Sequence, residues 1–524
     1  MNIVRPRWWP SLRTLQAMLA GLLICAGPLQ AAAPEPGWLD AAGQPSKSAQ
    51  YALRLLVDAA ADGLVPRDYQ ADELAGQAAL LSRPPATAPA QPLAFSGALD
   101  IAMQRYLRDL HLGRVDPRAL GFRVEAKDAA QPDFPALVKA ALAQDRLPQA
   151  VDELRPKLGQ YAKLRDALAR YRALAANGTS YELPIAATGK RGEPYCGGAP
   201  LHRLLLAVGD VPADAAPPIG CTDAALAAGL KRFQARHGLA PDGVVGRETL
   251  AALRVPLAHR VQQLELALER LRWLPELGAR PFIGINIPMF RLWAYDPQAP
   301  GETTINMGVV VGRALNTQTP VMAEDMRYLV FRPYWNLPRS IVRNEVLPAL
   351  ARDPGYLQRH DMEIVRGGGD DAKAVAASSE NIAALSAGTL RLRQRPGPKN
   401  SLGRVKFIFP NDDNIYLHDT PATQLFGRAR RDFSHGCVRV EDPVALAQWV
   451  LKHEKGWTRE RIEAAMAGAS PQRVDLPRPL PVILFYMTAM VMPVDQGVYF
   501  ASDIYGHDAR LVSALARRPA VKTP

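Results

Sequence analysis

Apolar residues recur at helical spacing through the first half of this chain and at period two through the second, and no single layered core accommodates both patterns. Between about Ser46 and Leu174, Ala and Leu dominate, and sets such as Tyr51, Leu53, Leu56 and Ala59, or Ile101, Tyr106 and Leu110, fall on helical faces. Breaks at Leu81 to Pro92 and Ala129 to Pro135 divide this stretch, and Gly63-Leu64-Val65-Pro66 and Gly113-Arg114-Val115-Asp116-Pro117 read as helix stops. From Phe282 the runs Phe282 to Ala294, Thr303 to Val311 and Met326 to Phe331 are β-branched and alternating. In a chain of 524 residues, this change of period predicts several domains.

Between the two regions, Gly197 to Leu253 reads as a compact unit. One helix puts Leu226, Leu230 and Phe233 on a single stripe, a turn-rich segment follows, and Thr249 to Leu253 begins another helix. Val261 to Leu271 reads as a linking helix. Within the β region, a polar stretch from about Asn344 to Ser401, with Gly367-Gly368-Gly369, interrupts the strands; an insertion of this length implies a lid or binding subdomain. Strands resume at Arg404 to Phe409 and Asn414 to His418, and Val482 to Thr488 with Val498 to Ser502 closes the region.

The N-terminus is a segment apart. Arg5, Arg7 and Arg13 precede the apolar run Leu15 to Ala26, and Ala31-Ala32-Ala33 offers a cleavage site, so residues 1–33 read as a secretory signal; an uncleaved anchor is the alternative. Ile24 stands where lipid attachment at Cys25 needs a small residue, which argues against a lipoprotein. Removing the segment takes away three arginines and no acid, so the formal charge falls from +12 to +9. A basic exported protein fits an anionic wall polymer; no nucleic-acid motif is present.

Three cysteines then remain. Cys196 and Cys221 lie 25 residues apart in a Gly- and Pro-rich stretch, where a disulfide contributes roughly 3 to 4 kcal/mol in the chain-entropy account. Cys437 is the odd thiol, and an unpaired cysteine outside the cytoplasm points to used reactivity. It stands in Ser434-His435-Gly436-Cys437-Val438-Arg439, with His418 upstream at a predicted strand end. A thiol of pKa about 8.5 needs a base, and His418 is the candidate. His435 shares a face with Cys437 in an extended segment and suits lining the site; amides around Gly436 and Cys437, with Ser434 beside them, are candidates for an oxyanion hole. Asp442-Pro443 reads as the start of a helix anchoring the loop. Two other readings stand beside this one: a zinc site from His418, Asp419, His435 and Cys437, for which the spacing of His435 and Cys437 is tight, and a buried structural cysteine.

His418, fifteen residues, and Ser434-His435-Gly436-Cys437-Val438-Arg439 resemble the signature of the L,D-transpeptidase (YkuD-type) catalytic domain. Gly403 with Lys406-Phe407, His418-Asp419-Thr420, Pro333-Tyr334-Trp335-Asn336-Leu337-Pro338 and Asp503-Ile504-Tyr505-Gly506 extend the likeness. Phe233-Gln234, His237-Gly238-Leu239, Asp242-Gly243-Val244-Val245-Gly246 and Thr249-Leu250 resemble the small three-helix peptidoglycan-binding module; a plain helical spacer is the blander reading. Together these are similar to the large, multidomain branch of the family. One departure is Arg439, where many shorter members carry Asn.

The resemblance implies a multidomain α+β chain: signal peptide 1–33, helical scaffold domain 34–190, peptidoglycan-binding module 195–256, linking helix 257–280, mostly-β catalytic domain 281–510 with an inserted lid at about 344–401, and a C-terminal tail 511–524. It implies Cys437 as nucleophile and His418 as base, working on peptidoglycan stem peptides without metal or organic cofactor. Arg439, Tyr416, Trp335 and Asn336 are the implied substrate contacts, and Arg428, Arg430 and Arg431 are further candidates. Acylation by carbapenem-type β-lactams and a periplasmic, wall-associated location also follow as expectations. Water in place of an amine acceptor makes the same fold a carboxypeptidase, and a non-catalytic wall-binding protein is the other alternative.

Overall fold

The computed structural model describes residues 37–83, 91–124, 132–177, 195–278, 280–299, 305–315, 317–369, 371–492 and 495–518. The expected signal segment, residues 1–33, lies outside them. Among the described residues no helix is long and apolar enough to cross a membrane.

The N-terminal body is helical, with Lys47–Val57, Ala71–Leu81, Pro92–Leu112, Phe134–Ala143, Leu147–Leu154 and Gly159–Ala176 as its α-helices. Ser46 and Asp133 cap two of them by accepting from the Ala49 and Ala136 amides. In Pro92–Leu112 the buried stripe is Leu99, Met103, Tyr106 and Leu110. Ile101 does not belong to it: two residues from Leu99 it turns to the far side of the helix and is 43% exposed.

The next unit has helices Gly198–Ala207, Ala224–Arg236 and Arg247–Leu253. Asp223 caps the middle one through the Leu226 amide, and Leu226, Leu230 and Phe233 form its buried stripe. Gln234 organises the following turn: its side chain donates to Asp242, the Val244 carbonyl and Thr249, and accepts from the Gly243 amide. Cys196 and Cys221 are disulfide-bonded.

The helix Leu257–Trp273 is more than a linker. It packs along Gly159–Ala176 through Leu264, Ala267, Leu268 and Leu271, while Gln263 donates to the Thr488 and Ala501 carbonyls and Arg270 pairs with Asp508. A single apolar core therefore runs from the helical body through the three-helix unit to Phe485, Val498 and Phe500 of the β region. At that junction His237 stacks between Phe233 and Phe500, and Arg236 binds both Asp210 and the Val498 carbonyl.

The β region is built on a nine-stranded sheet ordered Asp432–Ser434, Ile305–Gly312, Val438–Val440, Leu417–His418, Val405–Ile408, Met322–Phe331, Gln472–Phe485, Phe282–Asn286, Arg291–Tyr295. Arg291–Tyr295 also pairs with Ile305–Gly312, so the sheet closes on itself and leaves few open edges. Ile283, Val309, Phe407, Leu417 and Val438 fill its interior. A separate four-stranded sheet of Trp335–Asn336, Arg391–Gln394, Met362–Arg366 and Lys373–Val375 carries its own core, including Val342, Val346, Ile364 and Leu392. The insertion thus begins in structural terms at Trp335, ahead of Asn344, because Trp335–Asn336 is a strand of its sheet.

Residues 511–518 are not a tail. The helix His507–Ala516 crosses the expected boundary at 510, Leu511 is fully buried, and Arg518 pairs with the buried Asp109 of the helical body.

Candidate active site

Leu417–His418 and Val438–Val440 are neighbouring parallel strands, with Leu417 opposite Val438 and His418 opposite Arg439. Leu417 and Val438 point into the core, so alternation puts Tyr416, His418, Cys437 and Arg439 together on the other face. The apolar pattern of the strands thereby gathers the chemistry-bearing residues.

Cys437 is a half-buried free thiol. Its Sγ lies 3.5 Å from the Asn414 carbonyl, which accepts from the thiol. The Tyr416 hydroxyl and amide donate to the sulfur, and the Trp335 indole in turn hydrogen-bonds the Tyr416 hydroxyl. Burial outweighs these donors and the nearby Arg439, and pushes the thiol up to about 11. His418 is buried, and burial together with Arg439 pushes it down to about 3. Its Nδ1 is 2.5 Å from the Asp419 carbonyl; a carbonyl only accepts, so Nδ1 carries the proton and Nε2 presents its lone pair. At neutral pH the pair is therefore thiol and neutral imidazole.

The loop before Cys437 is fixed by buried hydrogen bonds. Ser434 Oγ accepts from the Gly436 amide at 3.2 Å and donates to the Cys437 carbonyl at 2.5 Å. Ser434 is buried and braces the loop instead of lining the pocket, and the Gly436 amide, expected in an oxyanion hole, is already engaged. Among the described residues the Cys437 amide has no protein acceptor. Gly436 has φ of 115°, a conformation that favours glycine. Its carbonyl accepts from Thr319 Oγ1 at 2.7 Å, and the same Oγ1 accepts from the Gly312 amide at 2.8 Å. The Tyr505 hydroxyl bonds the Thr319 amide and the Gly312 carbonyl, while the Tyr505 amide reaches Tyr486, which donates to Asp503. At Gly312 a Cβ would overlap the Thr317 carbonyl, so this crossing requires glycine. On the other side Asp442 caps the helix Pro443–Val450, whose Leu446 and Trp449 enter the core.

His435 does not face the thiol. It is exposed, and its Nε2 lies 2.6 Å from Glu345 of the inserted segment. Asp419 is occupied by the Arg404 and Thr420 amides. The four groups of the zinc reading therefore do not converge, and among the described residues no cluster of three or more His, Cys, Asp or Glu is arranged to hold a metal ion. Asn336 is exposed on the inserted sheet. Arg430 is paired with Asp432, Arg431 holds the Val309, Phe290 and Arg428 carbonyls, and Arg428 stacks on Phe433.

Thr319, Asn414 and Tyr505 were not predicted as site residues. Tyr505 falls in the quoted Asp503-to-Gly506 stretch, but nothing local ties any of the three to a loop more than 20 residues away in sequence.

Residues 280–466 match the L,D-transpeptidase catalytic domain (YkuD), residues 30–168 match the family described as "Scaffold domain", and residues 202–253 match the "Putative peptidoglycan binding domain". A Haemophilus influenzae protein named "Putative L,D-transpeptidase" is 32% identical over 280 residues, which is 52% of this chain and 55% of that protein. The chain thus aligns with about half the length of this curated relative. With a half-buried thiol and a tautomer-fixed histidine on one face of a closed sheet, the chain carries, in order, a scaffold-domain match, a peptidoglycan-binding-domain match and an L,D-transpeptidase catalytic-domain (YkuD) match.

Proposed function

We propose that this protein is an exported enzyme that joins peptidoglycan stem peptides through a thioester on Cys437, forming 3-to-3 cross-links. The observation that carries the reading is the common face of Cys437, His418 and Tyr416, with the histidine tautomer set by the Asp419 carbonyl. Cys437 Sγ attacks the carbonyl between the third and fourth residues of a tetrapeptide stem while its proton passes to His418 Nε2. The Cys437 amide and Tyr416 hydroxyl stabilise the oxyanion. Collapse breaks the peptide bond, and D-Ala leaves with the proton from His418. The side-chain amine of a second stem then attacks the thioester, giving its proton through His418 to the departing sulfur. The thioester retains enough of the amide's bond energy for the transfer to proceed without nucleotide triphosphates.

Because thiol and imidazole are both neutral at rest, proton transfer accompanies attack instead of preceding it. Intact-protein mass after incubation with a carbapenem, and muropeptide analysis after incubation with disaccharide-tetrapeptide, test the proposal. An adduct absent from Cys437→Ser, together with tetrapeptide dimers, is the expected result. Loss of D-Ala without dimers makes the enzyme a carboxypeptidase; no adduct and no D-Ala release leaves a wall-binding protein.

A further inference from the structure

Arg439 leaves the nucleophile loop on the same face as Cys437, and its Nε is buried without an acceptor among the described residues. A guanidinium in such a place is unfavourable unless a counter-charge arrives. Its surroundings sharpen the problem. Burial and the neighbouring Arg313 both hold the Arg439 guanidinium below its usual range, and the Cys437 sulfur is the one group pulling the other way. Arg313 follows the strand Ile305–Gly312 and is exposed; its backbone amide is held by the Ser434 carbonyl at 3.1 Å, so it is anchored to the loop that carries the thiol. Other arginines around the loop are engaged: Arg404 on Asp419, Arg430 on Asp432 and Arg431 on backbone carbonyls. Among the described residues neither Arg313 nor Arg439 has an anionic partner.

Two guanidinium groups without an anionic partner among the described residues, Arg439 on the face of the thiol and Arg313 near Arg439 with its amide tied to Ser434, form a receptor for a carboxylate, whose planar pair of oxygens matches the guanidinium fork. A residue leaving from the C-terminus of a peptide has its carboxylate within about 5 Å of the carbonyl under attack. We propose that Arg313 acts with Arg439 to receive the terminal carboxylate of the departing residue, making Arg313 a specificity residue for donor stems that end one residue beyond the attacked bond. This assignment rests on the proposed transpeptidase reading. A longer stem would move its carboxylate out of the arginine pair.

The test compares donor stems ending in D-alanine with the same stems ending in D-alaninamide, in the full-length protein, following thioester formation by intact mass and release of the terminal residue. The wild type is expected to favour the carboxylate in kcat/KM by about 10- to 100-fold, the range of a charge-assisted hydrogen bond. In Arg313→Ala that preference falls to within about threefold, chiefly through KM, with the carboxamide donor unchanged, and Arg313→Lys restores part of it. An Arg313→Ala enzyme that keeps the full preference overturns the assignment, as does an equal loss on both donors, which marks a structural role. Normal thioester formation with loss only of the second transfer assigns the pair to a carboxylate on the acceptor and overturns it too. If the wild type forms no thioester with either donor, the failure lies with the transpeptidase reading itself.

Discussion

The loop Ser434 to Cys437 and the inserted sheet that faces it are held in opposite ways. The loop is tied on both sides by buried hydrogen bonds from Ser434 and Thr319, with Tyr505 behind them. The inserted sheet has a core of its own and reaches the site by the exposed pair of Glu345 with His435 and by Trp335 against Tyr416. Moving the loop leaves several buried polar groups unpaired, whereas moving the inserted sheet as a body breaks the exposed Glu345–His435 pair and the Trp335–Tyr416 contact and leaves its core intact. The residues proposed to react thus sit on the part that is expensive to move, and the inserted sheet is the part that is cheaper to move.

The sharpest way to break this comparison is at Cys437. Cys437→Ser is expected to lower release of the terminal residue by a factor of about 10,000 or more with the melting temperature unchanged, because the side chain contributes chemistry and no core packing. Rate and calorimetry check it together.

The resting protonation state comes next. With the thiol at about 11, alkylation of Cys437 by iodoacetamide in the free enzyme should be on the order of 100-fold slower at neutral pH than for an ordinary thiol, and should keep rising up to pH 11. His418 is depressed to about 3, so its neutral form persists below 6.5 and the acid limb of activity falls well under the ordinary histidine range. The sign for stability follows: the neutral buried imidazole contributes fully above about 6.5, and that contribution is lost as pH falls towards about 3. An alkylation profile that levels off near 8.5 would show a thiol less buried than the loop geometry requires.

Thr319→Val keeps the shape and removes both hydroxyl bonds, leaving the Gly436 carbonyl and Gly312 amide unpaired. A loss of about 2 to 4 kcal/mol in denaturant unfolding is expected, with kcat down roughly 10-fold or more. Unchanged kcat in the folded fraction would mean that the loop holds its position without this tie.

The smallest effect belongs to the exposed pair. Glu345→Ala should change kcat/KM by about threefold or less, since such contacts are worth roughly 0 to 1 kcal/mol, and should quicken amide exchange in the inserted sheet alone. A tenfold change would make that contact part of the chemistry and erase the distinction between the two regions.

The residues whose chemical type is informative were legible in the sequence: Cys437 as the thiol left over from Cys196 and Cys221, His418 on a strand neighbouring it, and the change of period at Phe282. What escaped has a common cause. Thr319, Asn414 and Tyr505 act through hydroxyls and backbone carbonyls across 23 to 186 positions, and threonine, asparagine and tyrosine are too versatile for their type to announce such a role. Gly436 was read for its amide, but the Ser434 hydroxyl two residues away takes that amide, a local competition that composition cannot rank. Residues 511–518 looked like a tail because their partners, Asp109 above all, lie four hundred positions earlier.

The stacking of His237 between Phe233 and Phe500 has a consequence for how the proposed wall binding would act on the proposed catalysis. A module on a flexible tether raises the effective concentration of its polymer around an active site and tolerates many orientations. Here the module shares a core with the closed sheet, so a glycan strand held by it would meet the thiol at one distance and one bearing. On the proposed function, such an anchor would work as a jig, excluding strands of the wrong orientation instead of crowding in strands of every orientation.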